Sequence, residues 1–264
     1  MTGLYRLAGW NIEITSLYRT VQELCKDYRI DPEDCRPDIL VRTGRSDIEY
    51  EREKSAKENI GAGDSDPGYS DQYLEKLAVY RKIAERLPAF DTFLFHGSAV
   101  AVNGECYLFT AKSGTGKSTH TRLWRELLGQ AAVMVNDDKP LIRLTETGAL
   151  ACGTPWDGKH RLSSNIMVPL KAICILERGE TNSICEMEKT DAFPTLLQQT
   201  YRPADPAGLK KTLELIHRLN VCFFHLRCNM DISAAELSYR AMSGAKESFC
   251  QAAQNGSGNI ITNF

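Results

Sequence analysis

The segment Ala111–Ser118, Ala-Lys-Ser-Gly-Thr-Gly-Lys-Ser, constrains the fold of this chain more than any other. It follows the apolar run Cys106–Thr110 and precedes Thr119–Leu128, which has helical spacing. A strand, a glycine-containing loop and a helix in this order form a P-loop, in which backbone N–H groups and the helix N-terminus bind phosphate. The sequence therefore predicts an α/β fold that binds a nucleotide.

Each residue type in this loop has a chemical reason. Gly114 and Gly116 let the backbone curl so that successive N–H groups face inward. Lys117 is expected to reach the β- and γ-phosphates, and the Ser118 hydroxyl to coordinate Mg²⁺. Ala111 stands where the pattern has its first glycine, and alanine fits that position if φ is negative there. A coincidental glycine-rich turn is the alternative, which the flanking strand and helix disfavour. The expected nucleotide-binding residues are Ser113, Gly114, Thr115, Gly116, Lys117, Ser118 and Thr119.

Two adjacent carboxylates, Asp137 and Asp138, follow the strand-like run Ala132–Asn136. A phosphate loop needs a carboxylate that holds the metal, commonly at the end of a neighbouring strand. Two carboxylates are costly to bury unpaired, but beside Mg²⁺ one can hold the metal and the other can accept a proton. The alternative is an acidic turn that leads into Lys139 and Pro140.

Together with His96-Gly97, these motifs resemble the HPr kinase/phosphorylase family. The wording Ser-Gly-Thr-Gly-Lys-Ser-Thr at 113–119 is also similar to the nucleotide loop of phosphoenolpyruvate carboxykinase. The resemblance implies an α/β fold with a mixed β-sheet, flanking helices and a carboxykinase-like P-loop core. Asn103-Gly104 lies between two apolar runs and predicts a hairpin directly before the loop, which agrees with a mixed sheet. The resemblance is specific over residues 91–145 and looser to about residue 240.

The resemblance also implies roles for the site residues. Asp137 would accept the proton of the substrate hydroxyl, and Asp138 would help Ser118 to hold the metal. His96 would line the site, although a histidine in an apolar strand is also commonly structural. The implied catalytic residues are therefore Asp137, His96 and Lys117, the implied cofactors are ATP and Mg²⁺, and the implied acceptor is a serine-type hydroxyl.

The segment Gly153–Arg161 departs from the family. There the family carries a glycine-rich stretch with a metal-binding glutamate, which this chain lacks. Asp157 could replace that carboxylate, and a cation at Lys159, His160 or Arg161 could neutralise the transferred phosphate. A solvated basic turn is the equal alternative. The departure leaves open whether HPr is the acceptor and whether the reverse phosphorolysis occurs.

Along the chain, three parts are expected. Residues 1–90 form an N-terminal α+β module with a flexible loop near 61–70, in which Gly61–Gly68 is rich in turn-forming residues. Residues 91–245 form the HPr-kinase-like nucleotide-binding domain, and residues 246–264 a loose tail. Three local predictions are that Leu4–Ile14 is a strand, that Ser16 caps a helix over Leu17–Tyr28, and that Phe93–Val102 is a strand.

Composition excludes several classes of function. A net charge of −2 gives no basic field for nucleic acid. No apolar run approaches the length of about 18 residues that a membrane span needs. The N-terminus lacks the pattern of a secretory signal. The nine cysteines include no Cys-x-x-Cys pair, which disfavours zinc and predicts reduced thiols in a cytoplasmic protein.

The sequence thus predicts an ATP- and Mg²⁺-dependent kinase that transfers the γ-phosphoryl group to a hydroxyl of a protein, peptide or small molecule. Two alternatives remain. A non-catalytic ATP-binding sensor is disfavoured by the Asp137-Asp138 pair, since a sensor needs no base. A carboxykinase-type enzyme is disfavoured by the length of the chain. Oligomeric state is open, and the resemblance makes a homo-oligomer plausible.

Overall fold

A computed structural model describes residues 1–31, 35–62, 68–158 and 160–244. In these ranges the chain forms two β-sheets and seven α-helices. The strands are β1 Thr2–Leu7, β2 Trp10–Thr15, β3 Ile39–Arg42, β4 Thr92–Leu94, β5 Ser98–Val102, β6 Glu105–Thr110, β7 Ala132–Asn136, β8 Leu141–Thr145, β9 Gly148–Cys152, β10 Met167–Arg178, β11 Ser183–Met187 and β12 Cys222–Cys228. The helices are α1 Thr20–Leu24, α2 Arg45–Ala62, α3 Asp71–Arg86, α4 Lys117–Leu128, α5 Lys189–Gln199, α6 Pro206–Arg218 and α7 Ile232–Ser243.

The smaller sheet has three strands, in which β2 pairs antiparallel with β1 and parallel with β3. The prediction of one strand over Leu4–Ile14 was wrong, because Ala8 and Gly9 both adopt positive φ, 50° and 79°, and turn the chain into a hairpin. The helix expected over Leu17–Tyr28 is only α1 followed by a short 3₁₀ turn. Ser16 does not cap it, since its hydroxyl donates to the carbonyl of Tyr18.

The flexible loop expected near 61–70 is described only at its two edges. Residues 61 and 62 belong to α2 rather than to a loop. Ser70 caps α3, because its hydroxyl oxygen accepts a hydrogen bond from the backbone N–H of Tyr73. The rest of the expected loop, residues 63–67, and the expected tail from residue 246 lie outside the described residues.

The larger sheet has nine strands and is mixed, as expected. Its long strand β10 changes partners along its length. Residues Met167–Pro169 pair antiparallel with β9, and residues from Leu170 onward pair parallel with β6 and β12. The strand β10 thereby joins the β4-β8-β9 part of the sheet to the part that contains the phosphate loop.

Four strands of the larger sheet end at the same edge. The strands β6, β10 and β12 are parallel, and β7 runs in the same direction because β5 is antiparallel to both β6 and β7. The carboxyl ends of parallel strands in such sheets are where ligands bind. The P-loop after Thr110 and the carboxylates after Asn136 therefore meet at this edge.

The hairpin before the loop is confirmed. Asn103 and Gly104 have φ of 52° and 80°, the conformation of a two-residue type I′ turn. The strand expected over Phe93–Val102 is divided instead into β4 and β5, with His96 and Gly97 between them. A Cβ at Gly97 would lie 2.9 Å from the Leu108 side chain and 3.0 Å from the carbonyl oxygen of Phe109, so glycine is required for this close approach.

Each sheet has its own hydrophobic core, and some side chains of the larger sheet pack into the core of the smaller one. The α4 helix packs on the larger sheet through Trp124, which is fully buried against Tyr107, Phe109 and Tyr239. The core of the smaller sheet includes side chains of the larger one, such as Leu141. The domain boundary near residue 90 stays a prediction. No helix in the described ranges is both long and apolar enough to span a membrane.

Candidate active site

The phosphate loop has the backbone geometry that its glycines predicted. Gly114 and Gly116 have φ of 78° and 123°, and α4 begins directly after them at Lys117. A Cβ at either glycine would meet nothing within 4 Å, so glycine is needed for its φ rather than for space. Ala111 does not have a positive φ, which explains why alanine is tolerated where the pattern has glycine.

The Lys117 side chain is folded against the loop that precedes it. Its Nζ donates hydrogen bonds to the carbonyl oxygens of Ala111 at 3.1 Å and Lys112 at 3.5 Å. The residue is only 8% exposed. Burial lowers the pKa of Lys117, while nearby Asp138 opposes this shift. The ammonium group thus lies beside the loop backbone, where phosphate oxygens could replace the two carbonyls.

A residue that sequence reasoning missed, Arg178, supports the loop from outside. It is the last residue of β10, and its guanidinium donates from Nε to the carbonyl oxygen of Thr115 at 3.3 Å and from Nη2 to that of Gly114. Hydrogen bonds from charged groups are stronger than neutral ones. Arg178 therefore fixes the loop to the neighbouring strand, and no local sequence pattern marks it.

The first carboxylate, Asp137, lies against α4. It is 5% exposed, and its Oδ1 accepts a hydrogen bond from the Ser98 hydroxyl at 2.7 Å. The Ser98 hydroxyl is also 2.8 Å from that of Thr121 on α4. A Cβ at Gly158 would lie 2.9 Å from Oδ2 of Asp137, so the absence of a side chain there leaves this oxygen room.

The second carboxylate, Asp138, is more open. Its Oδ1 lies 3.4 Å from Nε2 of His96 and 3.5 Å from Nζ of Lys139. The Asn136 side-chain oxygen accepts hydrogen bonds from the backbone N–H groups of Asp138 at 2.8 Å and Lys139 at 2.6 Å. This turn directs the two aspartates to different surroundings.

His96 is held in one orientation by Gln199, at the end of α5. The Gln199 carbonyl oxygen accepts the His96 backbone N–H at 2.7 Å, and its Oε1 lies 2.8 Å from Nδ1 of the ring. Burial lowers the pKa of His96 to about 4, with Lys139 and Lys117 adding to the effect. A neutral ring that donates from Nδ1 leaves the lone pair of Nε2 facing Asp138. Gln199 was not expected from the sequence.

Most of the expected site residues line one cavity of about 560 Å³. Thr115 faces a neighbouring cavity instead. The lining of the first cavity, hereafter the phosphate cleft, is His96, Ser113, Gly114, Gly116, Lys117, Ser118, Thr119, Asp137, Asp138, Asp157, Gly158 and His160.

The neighbouring cavity, hereafter the outer cavity, lies where β10 and β12 end and measures about 500 Å³. Its walls are largely apolar and include Leu123, Leu176 and Met230, and it shares Gly114, Gly116 and Thr119 with the phosphate cleft. His120 also lines it and is buried. Its Nε2 lies 2.9 Å from the Ser238 hydroxyl, and Nδ1 has no partner among the described residues.

The segment Gly153–Arg161, where the sequence departs from the family it resembles, contributes residues to more than one cavity. Asp157 and His160 line the phosphate cleft, and Asp157 accepts hydrogen bonds from the backbone and hydroxyl of Ser163. Arg161 lines a different cavity next to it. Lys159 lies outside the described residues.

The oxygen donors in the phosphate cleft fit Mg²⁺. The Ser118 hydroxyl and the two aspartates supply hard oxygen ligands, which Mg²⁺ combines with substrate phosphates and water. In the described ranges no group of three or more His, Cys, Asp or Glu side chains could hold a metal alone. A metal site that is completed by a nucleotide is consistent with both observations.

Known proteins offer similarity in structure but no match in sequence. No protein-family model and no curated protein matches the sequence. Among solved structures, one that is similar is the Hpr(Ser) kinase/phosphatase from Coxiella burnetii, with 14% sequence identity and a TM-score of 0.28. That match covers 47% of this chain and 95% of the other.

Proposed function

We propose that this protein is a kinase with an HPr-kinase-like, carboxykinase-like core, which transfers the γ-phosphoryl group of ATP to a hydroxyl in the presence of Mg²⁺. One observation carries the proposal. The P-loop residues Lys117 and Ser118 share a cavity with two carboxylates, Asp137 and Asp138. A nucleotide-binding loop explains the first pair, and a metal-binding carboxylate beside a proton acceptor explains the second.

The nucleotide would span two cavities. Its phosphates bind the N–H groups of the loop and the Lys117 ammonium in the phosphate cleft. Its nucleoside part lies in the outer cavity, against Leu123 and Leu176. The two cavities share Gly114, Gly116 and Thr119, so one ligand can pass from one to the other over the loop.

Ser118 and one aspartate would hold Mg²⁺, which neutralises charge on the phosphates when it is bound. The contacts of the two aspartates favour the reverse of the roles that the resemblance implies. The Ser98 hydroxyl links Asp137 to Thr121, one turn after Ser118 on α4, and another neighbouring cavity is lined by both Ser118 and Asp137. We therefore assign the metal to Asp137.

Asp138 is then the base that accepts the proton. It is the more open of the two carboxylates, and it also lines a cavity on the far side of the phosphate cleft. The acceptor hydroxyl oxygen forms a bond to the γ-phosphorus, the bond from that phosphorus to the β–γ bridging oxygen breaks, and ADP leaves. The hydroxyl proton passes to Asp138.

His96 supports this assignment. The lone pair on its Nε2 faces Oδ1 of Asp138 at 3.4 Å, and the lowered pKa of His96 keeps the ring neutral at pH 7. A carboxylate next to a lone pair gains a hydrogen bond only after it has taken up a proton. His96 is therefore placed to accept a hydrogen bond from the proton that Asp138 takes up in the transfer.

The test is the melting temperature of the purified protein with and without MgATP. Wild type is expected to gain several degrees, since a ligand that binds only the folded state raises its stability. Lys117→Ala should remove this gain, and Lys210→Ala, at a side chain that is 80% exposed on α6, should retain it. An equal gain in Lys117→Ala would contradict the proposal. Failure of labelled ATP to lose its γ-phosphate, with any hydroxyl compound or water, would favour the sensor.

A further inference from the structure

A third cavity, hereafter the acceptor cavity, opens from the phosphate cleft toward the N-terminal part of the chain. It measures about 450 Å³ and shares Asp138, Asp157 and Gly158 with the phosphate cleft. Its other walls come from Leu24 of α1, from four residues of α3, and from Lys139, Pro155, Trp156 and Arg161. A compound bound there would have one end beside Asp138, the proposed base.

One wall of the acceptor cavity is aromatic. The rings of Tyr80 and Trp156 meet edge to face with centroids 5.5 Å apart, and Tyr73 lies at the rim with 42% of its surface exposed. Leu77 and Pro155 add apolar surface. Pockets for small molecules are lined in this way, with apolar and aromatic side chains around a few polar groups. The wall suits an apolar or aromatic body.

The same wall carries two hydrogen-bond donors. The indole N–H of Trp156 is buried and makes no hydrogen bond within the described residues. Burial, and to a lesser degree Asp138, raises the pKa of Tyr80 well above its usual range, so the Tyr80 hydroxyl remains a donor. A polar group of a ligand at this wall could accept a hydrogen bond from that hydroxyl.

The acceptor cavity carries charged groups of both signs. Asp138 and Asp157 are shared with the phosphate cleft. Lys76, Lys139 and Arg161 line the acceptor cavity but not the phosphate cleft. Lys139 lies 3.5 Å from Asp138, whereas Lys76 and Arg161 have no ion-pair partner in the described part of the chain. The two unpaired cations favour a ligand with an anionic group.

We propose that the acceptor of the phosphoryl group is a small hydroxy acid with an apolar or aromatic body, and that it binds in the acceptor cavity. Its carboxylate lies near Lys76 and Arg161, its body against Tyr80 and Trp156, and its hydroxyl beside Asp138. A cavity of about 450 Å³ holds a small molecule rather than a folded protein surface. This inference rests on the kinase proposed above and gives α3 a part in substrate selection.

The experiment compares three probes that each carry the same hydroxyl. N-benzoyl-L-serine has the aromatic body and the carboxylate, N-benzoyl-L-serinamide lacks the charge, and L-serine lacks the aromatic body. Calorimetric titration into the protein with MgADP is expected to give a Kd for N-benzoyl-L-serine at least tenfold below that of either other probe. Equal affinities, no binding at millimolar concentration, or tighter binding of a peptide with an internal serine would overturn the inference.

Two variants locate the binding. Lys76→Met keeps the apolar stem of the side chain and should make the Kd values of N-benzoyl-L-serine and N-benzoyl-L-serinamide equal. In Lys210→Met, the control, the two Kd values should still differ tenfold. Tyr80→Leu should weaken N-benzoyl-L-serine at least fivefold without changing the affinity for L-serine to the same extent. An unchanged acid-to-amide ratio in Lys76→Met would mean that the compound binds elsewhere. If the stabilisation by MgATP depends on Lys117 and the probes are still not distinguished, only this inference fails, whereas absent MgATP stabilisation refutes the kinase itself.

Discussion

The two halves of the candidate site are built in different ways. The phosphate half is continuous in sequence, from β6 through the loop into α4, and Arg178 of β10 holds the loop from outside. The acceptor half is assembled from remote segments, because Asp138 lies beside His96, and His96 is held by Gln199, 103 residues later. The phosphate half therefore depends on local backbone conformation, and the acceptor half on how the whole chain packs.

Because the two halves are built differently, substitutions in them should impair different steps. Damage to the phosphate half should abolish nucleotide binding, since binding and chemistry both need it. Damage to the acceptor half should leave nucleotide bound and stop transfer.

The largest effect is expected for Asp138→Asn. Loss of a general base typically costs about 10²–10⁴-fold in rate, so transfer should fall by that factor while the stabilisation by MgATP persists. Asp137→Asn should instead raise the Mg²⁺ concentration needed for half-maximal rate. Initial rates with labelled ATP at several Mg²⁺ concentrations measure both. If Asp137→Asn loses transfer at saturating Mg²⁺ and Asp138→Asn does not, the roles are those implied by the resemblance.

The second effect concerns His120, which lies in the phosphate half and is buried. Burial lowers its pKa from 6.5 to about 4, so the unfolded chain takes up this proton more readily than the folded one. The contribution of His120 to the free energy of unfolding is fully present above pH 6.5. It is lost as the pH falls toward 4, and the loss amounts to roughly 3 kcal/mol. His120→Gln should reduce the loss of unfolding free energy over this range.

Urea denaturation at pH 7 and at pH 4.5 measures that difference, and His217→Gln, at an exposed histidine on α6, is the matched control. His96 has a similarly lowered pKa and contributes acid sensitivity in the acceptor half. An unchanged pH dependence in His120→Gln would show that the buried ring is not the group that titrates.

A smaller effect is expected for Arg178→Met, which removes the two hydrogen bonds to the carbonyl oxygens of Thr115 and Gly114. The loop should then sample more conformations, and the Kd for MgATP should rise by about tenfold, or ~1.4 kcal/mol. Arg218→Met, at a half-exposed side chain far from the loop, is the control. Equal affinities would mean that the loop is fixed by its own sequence alone, which would widen the contrast between the halves.

An effect of similar size, on stability rather than on binding, is expected for Gly104→Ala in the hairpin before the loop. Its φ of 80° lies in the left-handed region, where a Cβ costs about 1–2 kcal/mol. Because β5 and β6 adjoin both halves, the melting temperature should fall without a change in the acid-to-amide preference of the acceptor cavity. Gly44→Ala is the control, since Gly44 has no positive φ and a Cβ there would meet nothing within 4 Å. A selective loss of either activity would argue that the hairpin positions one half only.

Local signals in the sequence predicted the elements around the loop well. The strand β6 begins one residue before its apolar run and ends with it, and the helix α4 begins inside the loop motif. The local signals did not predict the turn at Ala8-Gly9. There a non-glycine residue adopts positive φ, and the turn lacks the Asn-Gly or Asp-Gly dipeptide that marks most such hairpins. The local signals also joined β4 to β5, since at the break the backbone N–H groups of His96 and Gly97 bond to the carbonyl oxygens of Gln199 and Asp138, which lie far away in sequence.

The sequence by itself determined the phosphate half, because a glycine with positive φ, a lysine and a helix N-terminus act through neighbours in the chain. It also determined that two carboxylates follow β7. Only the tertiary structure decided which of the two faces His96, that Gln199 and Arg178 support the site, and that Tyr80 and Trp156 line a cavity beside it. These contacts join residues far apart in sequence, and no periodicity or motif encodes which distant side chains will pack together.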